Sequence, residues 1–192
     1  MPRIVGGALG GRRFAAPPGK GTRPTSERVR EALASALASR GAFRGRVLDL
    51  YAGSGALALE ALSRGADEAV LVERDRRVVR QLRTTLQELG LEARAQVLGL
   101  DLRARAAVTR VVPLGPFDLV FADPPYALAG ELPALLSALE VGLAPGAIVV
   151  VEHGPDVTPG PWPPFLALEG AYRYGSTSLA MLRVGSRSPP PP

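Results

Sequence analysis

Asp123-Pro124-Pro125-Tyr126 stands directly behind the apolar run Phe117 to Ala122. This places a carboxylate, two linked prolines and an aromatic ring at the carboxyl end of a buried strand, a set that can clamp a flat group bearing an NH2. The lone pair of an exocyclic amine is delocalised into its ring, so the amine attacks poorly unless acceptors grip its hydrogens and hold it in line with an electrophile. Asp123 supplies one acceptor. Pro124 has no N–H and a fixed φ, so its carbonyl can be aimed as a second acceptor with no donor beside it. Tyr126 offers a face for stacking. These are the requirements of methyl transfer to an aromatic amine. The bland alternative is a tight turn, which has little use for an acid between a buried strand and two prolines.

A second group is the loop Asp49-Leu50-Tyr51-Ala52-Gly53-Ser54-Gly55, which joins a strand to a helix and suits a nucleotide. Gly53 and Gly55 let the backbone approach a ligand without a Cβ in the way, and the helix amino end behind them favours negative groups. Glu73 follows at the end of the next apolar run, where an acid accepts both hydroxyls of a ribose. A dinucleotide oxidoreductase shows a similar spacing. Asp49, ahead of the glycines and placed for a methionyl ammonium group, together with the Asp123 clamp, turns the reading toward S-adenosylmethionine. Ala52 and Ser54 complete that cofactor loop. Asp101 stands where it can accept from the cofactor's adenine amine; otherwise it is a solvated turn residue. His153 reads as a local hydrogen-bonding residue, because the methylated amine can lose its proton to water or to Asp123.

The elements that must hold these groups alternate. Val47 to Leu50, Ala69 to Val72, Ala95 to Leu98, Phe117 to Ala122 and Ala147 to Val151 read as strands, with Ala56 to Arg64, Asp75 to Leu89 and about Glu131 to Glu140 as helices between them. Strand and helix in alternation imply a mostly parallel sheet covered on both faces. Phe165 to Tyr174 and Thr177 to Val184 around Gly175-Ser176 predict an antiparallel hairpin at the sheet edge. Residues 1–24, broken by Gly6-Gly7, Gly10-Gly11 and Pro17-Pro18, predict a short basic β-hairpin or arm. Residues 25–185 form the main domain, starting with a helix capped by Thr25 or Ser26, and 186–192 a tail that does not pack.

Composition narrows the classes. The chain has 192 residues, no cysteine and one histidine, which suits one α/β domain and leaves little material for a metal site or a thiol nucleophile, so no metal is expected. Neither an apolar span nor a secretory leader is visible, and a cytoplasmic monomer is the expectation. The net charge of +5 is concentrated: residues 1–31 hold Arg3, Arg12, Arg13, Lys20, Arg23, Arg28 and Arg30 against Glu27 and Glu31, and the other 161 residues balance, 16 basic against 16 acidic. A basic stripe of this kind is an electrostatic footprint for a polyanion.

Arg3-Ile4-Val5-Gly6-Gly7, Arg23-Pro24-Thr25-Ser26-Glu27-Arg28-Val29-Arg30-Glu31, Ala52-Gly53-Ser54-Gly55-Ala56-Leu57 through Glu60-Ala61-Leu62-Ser63-Arg64-Gly65-Ala66, and Asp123-Pro124-Pro125-Tyr126 together resemble the RsmD family over nearly the whole chain. The last string is shared with many amine and amide methyltransferases; the amino-terminal strings are specific. The resemblance implies a class I, Rossmann-like S-adenosylmethionine-dependent methyltransferase that modifies the 2-amino group of one guanine in 16S rRNA of the small ribosomal subunit. It implies Gly53 and Gly55 against the cofactor, Glu73 on its ribose, Asp101 near its adenine, Asp123 with Pro124 on the guanine, and Arg23, Arg28, Arg30 and the arm on RNA. Gly10, where the family often carries a basic residue, and Ala34, where it often carries phenylalanine, depart from the pattern. Two alternatives stay open: a DNA adenine-amine methyltransferase, for which the chain lacks a DNA-reading domain, and an RNA-binding assembly factor without turnover.

Overall fold

The computed structural model describes residues 1–16, 27–154, 160–175 and 177–185, excluding the side chains of Tyr126 and Ala127. Arg23, the cap candidates Thr25 and Ser26, and the tail 186–192 lie outside the described residues.

Five parallel strands form the centre of a seven-stranded sheet: β1 (Arg46–Asp49), β2 (Glu68–Glu73), β3 (Ala95–Gly99), β4 (Phe117–Ala122) and β5 (Leu143–His153). β6 (Leu166–Tyr174) and β7 (Thr177–Val184) close one edge as the expected antiparallel hairpin, giving the order β3-β2-β1-β4-β5-β7-β6. The strands read as near-continuous apolar runs because helices bury both faces. Helices α1 (Glu27–Ala38), α2 (Ala56–Ser63) and α3 (Arg76–Leu89) cover one face, against Val47, Leu71, Leu119, Phe121 and Val150. Helices α4 (Arg105–Val111) and α5 (Leu132–Leu139) cover the other, against Leu48, Val70, Val120 and Val149.

Local signals set the helix ends. α3 starts at Asp75, whose carboxylate accepts from the Arg77 N–H at 2.7 Å, and stops at Gly90 with φ +69°; a polar cap and a left-handed glycine are the two ordinary terminators. α4 has no sequence signature as clear: Ala104, its cap residue, offers no side-chain acceptor, and its seven residues carry too few apolar positions to declare a period. β5 begins earlier than the apolar run suggests, at Leu143, because Pro145-Gly146 is absorbed as an irregularity in its pairing with β4.

The amino-terminal segment is built into the domain. Arg3 and Arg13 form an antiparallel bridge, Ile4 donates to the Arg12 carbonyl at 2.9 Å, and Ile4 and Phe14 are fully buried in the core beneath α1 and α2. Glu60, buried on α2, accepts from the backbone N–H groups of Val5 (2.8 Å) and Gly6 (2.9 Å) and pairs with Arg64 at 2.7 Å. Ser63 donates to the Gly6 carbonyl and accepts from the Leu9 N–H. Gly7, at φ +77°, passes so close that a Cβ would stand 2.0 Å from the Ser63 carbonyl oxygen, so only glycine fits.

Removing the Glu60 carboxylate would leave two backbone donors and the Arg64 guanidinium without their acceptor in a partly buried site, which is more costly than losing the bonds alone. Glu60→Ala is expected to lower stability by about 3 kcal/mol in chemical denaturation. Hydrogen exchange at the Val5 and Gly6 amides should accelerate more than exchange in β4; equal protection in both proteins would mean that Glu60 does not hold the segment.

Candidate active site

The sheet order reverses between β1 and β4, since β1 is followed through α2 by β2 on one side and β4 lies on the other. At such a switch point the connections leave the carboxyl ends of the strands in opposite directions and open a crevice. Four carboxylates line it on adjacent strands: Glu73 ends β2, Asp49 ends β1, Asp123 follows the last residue of β4, and Glu152 is the penultimate residue of β5. Strand side chains alternate between faces. Leu71, Val47, Phe121 and Val150, each two residues earlier, all belong to the core on the α1–α3 face, so the four acids project toward that same face.

Each acid is held differently. Asp49 is buried, and its carboxylate accepts from the backbone N–H groups of Ala58 and Tyr51. Ala58 lies in the first turn of α2, whose cap residue, Gly55, has no side chain to offer; Asp49 therefore caps the helix from the neighbouring strand. Burial is the largest influence on its pKa, with the Glu73 charge adding to it against the two backbone bonds, and the result is a rise to about 7. Glu73 accepts from Gly53 N–H at 3.1 Å and Asp75 N–H at 2.8 Å, tying the glycine loop to the start of α3. Asp123 is half-buried beside the buried Pro124; desolvation first, then the charges of Glu152 and Asp49, push its pKa up to about 7.

The two loop glycines do different work. Gly53 (φ +50°) has open space where a Cβ would stand, whereas Gly55 (φ +74°) faces inward, its virtual Cβ 2.8 Å from Leu82 and 3.2 Å from Leu71, and its N–H donates to the Ala52 carbonyl at 2.6 Å. Gly55 thus shapes the turn and lets α3 pack against it. Ala52 is buried, with its N–H on the Val72 carbonyl, and Ser54 is half-exposed.

Asp101 lies on the rim beyond β3, where it accepts from the Arg103 backbone N–H and pairs with the Arg103 side chain; those bonds hold its carboxyl down at about 2. Tyr51 faces the same rim: burial, then the charges of Glu131 and Asp101, raise its phenol to about 12. His153 Nδ1 lies 2.9 Å from the Gly154 carbonyl oxygen, a local bond of the expected kind.

Among the arginines expected at a polyanion, Arg3, Arg12, Arg13 and Arg28 are exposed. Arg3 pairs with Glu27 at 3.0 Å, and Arg12 donates to the Glu88 carbonyl at 2.8 Å. Arg30 is buried and points inward: its Nη2 donates to the Arg3 carbonyl at 3.0 Å, and burial lowers its pKa against the attraction of Glu60 and Glu27. Glu60 and Tyr51 stand inside recognisable strings, yet neither they nor Glu152 is given a site role by the sequence alone. For Glu152 the available signal was its place at the end of an apolar run, the same signal that singles out Glu73.

The Asp123 pKa has a consequence for stability. An unfolded aspartate ionises near pH 4, whereas the folded one does so near 7, so the folded state binds the additional proton between these values and loses stability as pH rises through that window. Asp123→Asn removes the loss. Its melting temperature is expected to exceed that of the unaltered protein at pH 8, with the gain growing between pH 4 and 7 and level above; a gain independent of pH would exclude a titrating Asp123.

Known proteins share this fold and sequence. The sequence profile described as "Conserved hypothetical protein 95" matches residues 2–183. "Ribosomal RNA small subunit methyltransferase D" of Escherichia coli K12 is 39% identical over 166 residues, covering 83% of this chain and 80% of that protein. The solved structure of a hypothetical protein of Thermus thermophilus superimposes with a TM-score of 0.78 at 34% identity, covering 94% of this chain and 98% of the other. An RNA methyltransferase of Salinibacter ruber in complex with S-adenosyl-L-homocysteine shares the fold, with a TM-score of 0.64 at 20% identity over 87% of this chain and 97% of that one.

Proposed function

The chain belongs to the Conserved hypothetical protein 95 family, and from that membership we propose that it transfers a methyl group from S-adenosylmethionine to the 2-amino group of a guanine in small-subunit ribosomal RNA. The relative named as a ribosomal RNA small subunit methyltransferase D supports the substrate class. The observation that carries the chemistry is the row of four carboxylates on one face of the switch-point crevice. S-adenosylmethionine carries an ammonium group and a sulfonium centre, and a crevice walled by acids of raised pKa favours such a cation.

The donor set fits the cofactor. Asp49 and the Gly53 loop would hold the amino-acid end, Glu73 the ribose hydroxyls and Asp101 the adenine amine, with Ala52, Ser54 and Gly55 forming the turn around it. Bound, the cofactor supplies an already activated methyl group, so the protein needs to position and desolvate the nucleophile. Asp123 and the Pro124 carbonyl would each accept one hydrogen of the guanine amine and turn its lone pair along the line of attack. Once the nitrogen is methylated its remaining protons are acidic, and Asp123 would take one. Tyr126 would stack on the base, a contact worth about 1 to 3 kcal/mol. Arg12, Arg13 and Arg28, with Arg3 and Arg23, would meet RNA phosphates; Arg30, turned inward on the Arg3 carbonyl, would instead orient that segment.

Methyl transfer from labelled S-adenosylmethionine to assembled small subunits, naked 16S rRNA and duplex DNA, with the product nucleoside identified by mass spectrometry, tests the reading directly. Label as 2-methylguanosine in rRNA is expected; label as methyladenine in DNA, or none in any substrate, would overturn it. Asp123→Ala is expected to reduce transfer by at least about a thousandfold, the scale of a lost positioning and acceptor group, with RNA affinity within about twofold. Unchanged modification would instead favour a binding role.

The arginines give a separate expectation. Neutralising a phosphate contact lowers the slope of log affinity against log salt by about 0.9 on duplex and about 0.7 on single strands. Replacing Arg12, Arg13 and Arg28 together with alanine should therefore flatten the slope by about 2 to 3 while cofactor affinity holds. An unaltered slope would remove these residues from the RNA interface.

A further inference from the structure

Glu152 is the fourth acid of the row and the proposed reaction gives it no task. The register of β4 against β5 sets Ala122 opposite Val151, so the next residues, Asp123 just past β4 and Glu152 still within β5, stand side by side. Both continue the face of Phe121 and Val150. The Glu152 charge is felt at Asp123, ahead of that of Asp49, which fits a separation of one strand. On its far side Glu152 meets β7, where the Thr177 hydroxyl lies 3.5 Å from its Oε1. Glu152 thus belongs to the crevice, one strand beyond the amine clamp and away from the cofactor loop, which lies on the β1 and β2 side.

The Watson–Crick edge of guanine presents the N1–H donor beside the 2-amino group. A base whose amine is held by Asp123 and Pro124 must present N1 to one side of that clamp or the other. Toward β1 stands Asp49, which the proposed function assigns to the amino-acid end of the cofactor; toward β5 stands Glu152. We propose, resting on guanine N2 as the target, that the Glu152 carboxylate accepts the guanine N1–H and so selects guanine over purines whose N1 carries a lone pair. A carboxylate facing such a lone pair would be repelled and left without its donor, and sites built to meet a substrate N–H discriminate strongly against analogues that lack it. Glu152 is on this account a specificity residue, acting beside Asp123 without replacing it.

2-Aminopurine isolates the contact, since it retains the 2-amino group and carries an unprotonated N1. Small-subunit rRNA bearing guanine or 2-aminopurine at the target position would be compared by kcat/KM with the full chain. The unaltered protein is expected to prefer guanine by at least about 100-fold. Glu152→Gln, whose amide can donate to N1, should bring the ratio within about tenfold by slowing guanine and improving 2-aminopurine. Glu152→Asp, which keeps the acceptor, should retain the preference at reduced rate. A guanine preference that Glu152→Gln leaves unchanged, or no preference in the unaltered protein, would overturn the assignment while leaving guanine N2 as the target. Absence of N2 methylation on guanine itself would instead remove the underlying function and this assignment with it. If Glu152→Gln does not fold, the unaltered protein and Glu152→Asp still decide, because loss of the guanine preference in Glu152→Asp would count against the proposal.

Discussion

The reversal of strand order between β1 and β4 is the constraint on which this molecule depends. It brings the carboxyl ends of β2, β1, β4 and β5 to one crevice, and the strict alternation of strand side chains then puts Glu73, Asp49, Asp123 and Glu152 on a single face. Burying acids in a poorly solvated row is unfavourable, and the raised pKa values of Asp49 and Asp123 reflect burial first and the neighbouring acids second. The chain carries 22 arginines, yet among the described residues the ion pairs of Arg3, Arg40, Arg46, Arg64, Arg103 and Arg183 all go to acids outside the row. Asp49 and Glu73 are tied instead by backbone N–H groups. Backbone donors fix a carboxylate in place without neutralising it, which preserves an attraction for a cationic ligand.

Much of this was legible in the sequence because the relevant signals are local. Apolar runs mark β1 to β5, Asp75 and Gly90 mark the ends of α3, and an acid after each run marks Glu73 and Asp123. The less legible parts depend on pairing between distant segments. Glu152 acquires its meaning from the register of β4 on β5, which no spacing along the chain encodes. Glu60 looks like one polar residue of an amphipathic helix until the fold sets Val5 and Gly6 against it. Gly55 matches a ligand-approach motif, but its inward turn toward Leu82 and Leu71 is a packing requirement that only the docked α3 reveals. Helix α4 escapes a sequence reading because seven residues without a side-chain cap give neither a period nor a start signal.

The basic amino end shows the same limit for charge. Counting side chains places the whole excess of +5 in residues 1–31, but burial divides that count. Arg30 is turned inward, where Glu60 and Glu27 attract it against the cost of burial, and it commits a donor to the Arg3 carbonyl. Arg12, Arg13 and Arg28 remain exposed. A cation committed to the interior contributes little to a salt-dependent encounter with a polyanion, whereas an exposed one remains available for it.

Helix α2 connects these two regions mechanically. Its amino end rises from the Gly53 loop and is capped by Asp49, and one and two turns further on Glu60 and Ser63 hold the amino-terminal segment through its backbone. The helix is eight residues long, too short to bend appreciably between its ends, since a helix of this length rises only about 12 Å. Glu60, in the middle of the helix, and Ser63, its last residue, fix where the amino-terminal segment lies, while Asp49 stands under the first turn of the same helix.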